Sequence, residues 1–353
     1  MTRKRRTLLS AAAMVAALVP ATVWAAPPVD AVVERAGTEQ LQVRWSSPDP
    51  VDVYVAGVPG ADVAHATRVA LADRDGQATV AAPAAGFKRS YVILRNARTG
   101  EATRVAERAV PLEAGSNFRD IGGYPAAGGR HVRWGMIYRS GGTPLLNETD
   151  KERIGALGLS TMVDLRSDEE RALAPSRIDG VPYTAVGYSM VKLNAGGGME
   201  GVYRAMPDVF APQLKLVFAQ LLRGEQPLVY NCSAGQDRTG FVTAVVLSAL
   251  GTPYPVIVSD YHLSTTYRRP EFEMPRIDVA AHPGDPAAAL FAHYQADPRY
   301  STPQPLKTAE GKAYLDFAFA AINEKWGSPE GYLRSGLGLS AADIARLRAH
   351  YTE

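Results

Sequence analysis

Ten residues, Asn231-Cys232-Ser233-Ala234-Gly235-Gln236-Asp237-Arg238-Thr239-Gly240, separate the apolar run 227–230 from the helical run 241–250. A connection this tight between a strand end and a helix start turns successive backbone N–H groups inward, and the helix dipole adds partial positive charge. The stretch is therefore an anion cradle. Gly235 supplies the conformational freedom that the turn needs, and Arg238, six residues after Cys232, can bend back to hold two oxygens of an anion bidentately. The same donors stabilise a thiolate, so Cys232 is expected to ionise readily and act as a nucleophile.

The flanking segments fit this cradle into an α/β frame. Thr149-Asp150-Lys151-Glu152 has the form of a capping box ahead of Ile154 and Leu157, and residues 161–165 read as a buried strand. Leu214, Val217, Phe218 and Leu221 recur at helical spacing until Gly224. Leu315, Phe319, Ile322 and Trp326 share one helical face, and Ser328-Pro329 and Ser340-Ala341-Ala342-Asp343 look like starts of two closing helices. Helix, strand, loop and helix in this order predict a mostly parallel sheet flanked by helices over 113–353.

Residues 27–112 have a different texture. Leu41, Val43 and Trp45 alternate with polar residues, as do Val51, Val53 and Val55, and segments 91–94 and 104–110 read as a closing hairpin. A small all-β unit is expected, resembling an immunoglobulin or fibronectin type III sandwich without its cysteines. It shows no catalytic cluster, which fits a stabilising or spacing module as well as one that binds a partner.

Residues 1–25 read as an export signal: Arg3, Lys4, Arg5 and Arg6, an apolar stretch 8–19 too short to span a bilayer, then Val23-Trp24-Ala25. Arg5-Arg6-Thr7-Leu8-Leu9 also resembles a twin-arginine signal, so both export routes stay open. The formal charge of +2 (38 basic, 36 acidic) becomes −2 once four basic residues are removed, which gives no support for a nucleic-acid partner. A soluble periplasmic or secreted protein without stable membrane insertion is the expectation. A hydrophobic fraction of 46% excludes disorder, and the single cysteine excludes an internal disulfide, a cysteine-rich zinc site and a CxxC redox pair.

Cys-x5-Arg after a strand resembles the phosphate loop of the cysteine-dependent protein tyrosine and dual-specificity phosphatases. The longer Cys-x-x-Gly-x-Asp-Arg-Thr-Gly form is similar to bacterial tyrosine phosphatases with lipid-phosphatase character. Asn117-Phe118-Arg119-Asp120-Ile121-Gly122-Gly123, Tyr138-Arg139-Ser140-Gly141, Val163-Asp164-Leu165-Arg166, Asp260-Tyr261 and Glu330-Gly331-Tyr332-Leu333 extend the resemblance over roughly 113–350. It implies a phosphomonoesterase without metal or other cofactor, acting on a phosphorylated protein or another phosphoester.

In that scheme Cys232 attacks phosphorus, and Arg238 with the amides of Ser233, Ala234, Gly235 and Gln236 holds the oxygens of a cysteinyl-phosphate intermediate. The segment 182–201, where many relatives carry a mobile acid loop, has no Asp or Glu before Glu200. Asp237 is then the general acid, and Thr239 is placed to hydrogen-bond the sulfur. Asn231 stands where most relatives have His, and Gln236 where many lipid-active members have Lys, which tilts the expectation toward phosphotyrosine. A secreted inositol-phosphate phosphatase and a catalytically weak phosphate-ester binding module are the alternatives.

Supporting residues carry two readings each. Asp164 and Arg166 fit a structural ion pair or a place for Arg166 near the phosphate. Arg119, with Asn117 and Asp120, fits a loop-ordering network or substrate contact. Asp260 and Tyr261 are expected beneath the loop, His262 as a structural histidine, and residues 270–305 as a lid or a surface excursion.

Overall fold

The computed structural model describes residues 27–83, 89–189, 197–224 and 227–353. The expected export signal lies outside the described residues. Within them the chain is mixed α/β.

Period-two patterning appears first. In β2 (Gln40–Ser46) Leu41, Val43 and Trp45 are buried while Gln40, Arg44 and Ser46 face solvent. β2 pairs antiparallel with β1 (Val29–Ala36) and β5 (Gln77–Ala81). A second antiparallel sheet runs β4-β3-β6-β7, built from β3 (Val51–Ala56), β4 (Thr67–Asp73), β6 (Tyr91–Asn96) and β7 (Ala102–Ala106). Val33, Leu41, Val43 and Trp45 of the first sheet share one apolar cluster with Val51, Val53, Val92, Leu94 and Val105 of the second. β6 and β7 make the expected hairpin, but β7 ends at Ala106 rather than Val110. The alternation expected in β3 fails at Asp52, which is buried because it accepts from the Ala72 amide at 3.0 Å and lies 3.5 Å from Arg95.

From Arg119 onward a five-stranded sheet forms the frame, in the order β11-β10-β12-β9-β8: β8 (Arg119–Asp120), β9 (Ile137–Ser140), β10 (Thr161–Asp164), β11 (Tyr183–Ala185) and β12 (Leu228–Asn231). All but β8 run parallel. β12 is central and wholly buried, which is why it reads as a continuous apolar run rather than an alternation.

Helices cover this sheet. α1 (Glu148–Gly155) starts two residues earlier than the Thr149 pattern predicts: Asn147 caps it by accepting from the Asp150 amide at 2.9 Å. The Asn147 side chain thereby satisfies one of the orphan amides at the start of the helix. α2 (Asp168–Leu173) carries a true capping box between Ser167 and Glu170. α3 (Gly198–Val209), α4 (Ala211–Arg223), α5 (Asp237–Leu250), α6 (Tyr254–His262) and α7 (Ser264–Tyr267) follow. α5 has eleven of its fourteen residues buried, as a helix apolar all round must.

Residues 270–305 contain α8 (Pro286–Ala296), whose Ala287 and Ala288 pack with Leu173 of α2. On α9 (Tyr314–Trp326) Leu315, Phe319 and Ile322 are buried as predicted, with Trp326 half-buried at the end of the stripe. The two closing helices, α10 (Pro329–Gly331) and α11 (Ala341–Tyr351), begin at Ser328 and Ser340. No helix among the described residues is long and apolar enough to cross a membrane.

Candidate active site

The loop begins where β12 ends, at Asn231, and closes where α5 starts, at Asp237. Gly235 turns it with φ +63°. A Cβ there would lie 2.5 Å from the backbone of Ser140 and Gly141, so no other residue fits. Cys232 is buried at the base, in the apolar cluster of the α/β core.

Carbonyls that face away from the cradle are tied down from below. Asn117 Nδ2 donates to the carbonyls of Ala234 (3.1 Å) and Gly235 (2.8 Å), and Arg139 Nη2 donates to Gly235 O at 2.8 Å. The Gly142 amide donates to Ser233 O at 2.7 Å. With their carbonyls held, the loop amides are left to face the opposite side, the arrangement an oxyanion needs. Asn231 Nδ2 donates to Cys232 O at 3.2 Å and so ties its side chain to the backbone at the start of the loop.

Beneath the loop Asp260 joins two buried arginines. Its Oδ2 accepts from Arg139 at 2.5 Å and its Oδ1 from Arg119 Nε at 3.3 Å and Tyr124 Oη at 3.0 Å. Burial opposes the charge of Asp260, yet Arg119 and Arg139 outweigh it and hold the carboxyl well below the usual range. Burial and the neighbouring Arg139 charge bring Arg119 down to about 10. Arg119 also bonds Asn117 Oδ1 and Ser264 Oγ, and it is fully buried. The structure thus resolves Arg119 as part of the loop's foundation, in place of a substrate contact.

Arg166 resolves the same way. Its guanidinium grips Asp164 through Nε and Nη2 and donates to Ala174 O at 2.6 Å, all buried. Tyr183 adds a bond to Asp164 Oδ2. This is the structural ion pair, beside β12 rather than a ligand of the loop. Thr239 also departs from expectation: its Oγ1 is buried and makes no hydrogen bond, so the predicted bond to the sulfur is not formed. Its backbone carbonyl accepts from Thr243 instead.

Arg238 is held by a residue that the sequence reading passed over. Glu170 accepts from Arg238 Nη1 at 2.5 Å and Nη2 at 2.6 Å, and from Ser233 Oγ at 2.6 Å. Burial would raise the Glu170 carboxyl, but the Arg238 charge dominates and brings it to about 2. Its readable signal was Ser167-x-x-Glu170, a capping box following β10. Tyr188 Oη accepts from Arg238 Nη1 at 2.7 Å, and burial pushes this phenol up to about 12. It stands in the segment 182–201, of which residues 190–196 lie outside the described residues.

Two further groups border the loop. Arg268 Nη1 donates to Gln236 Oε1 at 3.2 Å, while Glu273 holds its Nε (2.7 Å) and Nη2 (2.9 Å). Asp237 Oδ1 accepts from Tyr203 Oη at 2.6 Å, and Oδ2 lies 3.4 Å from Gln236 Nε2. His262 is half-buried on α6, its basicity lowered by burial.

A buried thiol in the loop that leads into a helix N-terminus, with an arginine and a carboxylate on the same junction, makes up a set of groups suited to a tetrahedral oxyanion. Comparison with known proteins agrees. Residues 110–353 match the model of the tyrosine phosphatase family. A candidate tyrosine-protein phosphatase of Cupriavidus necator is 32% identical over 252 residues, spanning 67% of this chain and 85% of that protein. A tyrosine-protein phosphatase of Nostoc commune is 28% identical (58% and 69% covered), and the triple specificity protein phosphatase PtpB of Mycobacterium tuberculosis 27% identical (66% and 95%). With the loop, its arginine and its cysteine on one β–α junction, the chain belongs to the tyrosine phosphatase family and is a phosphoester hydrolase.

Proposed function

We propose that the protein is an exported phosphomonoesterase that hydrolyses phosphotyrosine through a cysteinyl-phosphate intermediate. The observation that carries this reading is the orientation of Arg238. Glu170 and Tyr188 occupy three of its five N–H groups, and Nε–H and one Nη2–H remain on a single edge among the described residues. That edge is the fork that matches two phosphoryl oxygens.

Cys232 forms the S–P bond as the P–O bond breaks, Asp237 protonates the leaving oxygen, and water then attacks the phosphocysteine with Asp237 as base. The loop amides and the Arg238 fork stabilise the equatorial oxygens throughout. Cys232→Ser is expected to abolish turnover of p-nitrophenyl phosphate and phosphotyrosine peptides while phosphopeptide binding persists. Undiminished turnover by that variant removes the mechanism, and turnover-free binding by the unaltered protein would favour the binding-module reading.

Arg268 beside Gln236 supports a second reading, in which phosphoinositides or inositol phosphates are also hydrolysed. It brings a guanidinium, paired with Glu273, to the side chain of Gln236, where glutamine itself carries no charge. Phosphotyrosine peptide, phosphoinositide and inositol hexakisphosphate assayed under one set of conditions separate the two.

The two antiparallel sheets of residues 29–106 support a separate immunoglobulin- or fibronectin-like sandwich ahead of the catalytic unit. Export rests on Arg3 to Arg6 and the apolar stretch that follows. N-terminal sequencing of protein from the periplasm or medium checks it: a mature end near Ala26 is expected, and an intact Met1 in the cytoplasm would refute it.

A further inference from the structure

Tyr203 is fully buried on α3, and its hydroxyl donates to Asp237 Oδ1 at 2.6 Å. The same oxygen lies 2.6 Å from Tyr261 Oη. A phenol has one proton, and here it points at the carboxyl, so Tyr261 must donate to Tyr203. The order of bonds is fixed as Tyr261 to Tyr203 to Asp237.

We propose that Tyr203 is the positioning residue of the general acid, holding Oδ1 as an acceptor so that the proton delivered to the leaving oxygen resides on Oδ2. The proposal rests on the assignment of Asp237 as that acid. Oδ2 has only Gln236 Nε2, 3.4 Å away, as a polar neighbour among the hydrogen bonds of the described residues, and an amide N–H cannot take the proton.

As sulfur bonds to phosphorus and the P–O bond breaks, the leaving oxygen takes the Oδ2 proton and Asp237 becomes a carboxylate. Tyr203 keeps its own proton throughout. Its bond to Oδ1 strengthens as charge develops, so it stabilises the carboxylate formed in the step.

The tyrosine is rigid enough for this task. Its ring stacks on Tyr314 with centroids 5.8 Å apart and meets Tyr261 edge-on at 6.1 Å. Tyr261 reaches it because residue 240 is glycine: a Cβ there would lie 2.9 Å from Tyr261 Cδ2. The last residue of the loop motif thereby acts on the acid through two aromatic rings.

The test is leaving-group dependence. Tyr203→Phe keeps the ring and removes the hydroxyl, and kcat/KM is measured over aryl phosphates from p-nitrophenyl phosphate to phosphotyrosine, with Asp237→Asn alongside. General acids contribute about 100- to 10,000-fold, and misplacing one forfeits part of that. For Tyr203→Phe a loss of about ten-fold on phosphotyrosine and under about two-fold on p-nitrophenyl phosphate is expected, with inhibition by inorganic phosphate unchanged.

Equal losses across the series, or weakened phosphate inhibition, would show a structural role only and overturn the proposal. A steep Asp237→Asn dependence with a flat Tyr203→Phe one overturns it while leaving the acid in place. A flat Asp237→Asn dependence removes the acid assignment and the proposal together. Should Tyr203→Phe fail to fold, Tyr261→Phe carries the same comparison: it withdraws only the bond to Tyr203, and a smaller loss on phosphotyrosine of the same kind is expected.

Discussion

Glu170 closes on Arg238 with both carboxylate oxygens, at 2.5 and 2.6 Å, and so, with Tyr188, fixes which edge of the guanidinium is left open among the described residues. The pairing is one-sided in burial: Glu170 is 1% exposed in its side chain and Arg238 14%. The carboxylate also accepts from the Ser167 amide and Ser233 Oγ, so α2 and the loop are joined through one residue.

That junction makes a prediction about acid stability. The Glu170 carboxyl drops from 4.5 to about 2 on folding, so its contribution is fully present above about pH 4.5 and is lost as pH falls toward 2. At about 1.4 kcal/mol per unit, the contribution is of order 3 kcal/mol. Urea unfolding of the wild type and Glu170→Gln should show the largest difference at pH 7 and convergence near pH 2. A difference that stays constant over that range would mean the pair is not the source.

Much of this site was legible in the chain and some was not. Cys232, Arg238 and the strand–loop–helix around them were readable because their spacing is local, all on one β–α junction. Glu170 and Arg268 come to their loop partners from 68 and 32 residues away by sheet order and helix packing, which no local period encodes. The β10–β12 pairing, which sets Asp164 level with Asn231, is what carries α2 to the loop. Arg166 and Arg119 kept two readings in the sequence for a related reason: an arginine near a strand end looks the same there whether it points to ligand or to a buried carboxylate. The capping of α1 by Asn147 rather than by the Thr149 pattern is a register error of the ordinary kind at helix ends.

Gly235→Ala should unfold the loop or the protein. The substitution brings Cβ within 2.5 Å of Ser140 and Gly141 backbone and sets an L-residue at φ +63°, and neither neighbour is a side chain that can swing away. A loss of at least about 2 kcal/mol is expected, with activity abolished even at temperatures where the variant is folded. A variant of wild-type stability and activity would show that the loop does not adopt this path.

Asp260→Asn tests the foundation. It leaves Arg119 and Arg139 facing each other without a counter-charge in a site closed to water, and breaking a buried pair by removing one partner costs about 3–5 kcal/mol. The thermal midpoint should fall steeply, and at low temperature kcat should fall as well, since Arg139 would no longer be fixed against Gly235 O. Loss of stability without loss of kcat would separate the foundation from the loop.

Arg89 links the antiparallel sheets to the α/β core, and its removal should act on stability alone. Its guanidinium donates to Asp120 Oδ2 at 2.5 Å and Tyr138 Oη at 3.1 Å, and it also bonds Glu107 O. Asp120 keeps other partners, the amides of Gly122 and Gly135 at 2.8 and 2.7 Å, so it would not be stranded outright. Arg89→Met is therefore expected to cost about 3 kcal/mol, at the lower end for a broken buried pair. Neither Asp120 nor Tyr138 bonds the phosphate loop, so kcat/KM per folded molecule should match the wild type. Calorimetry and phosphotyrosine turnover on the full chain check both halves, and a ten-fold fall in kcat/KM with little change in stability would mean that the sheets act on catalysis through Arg89.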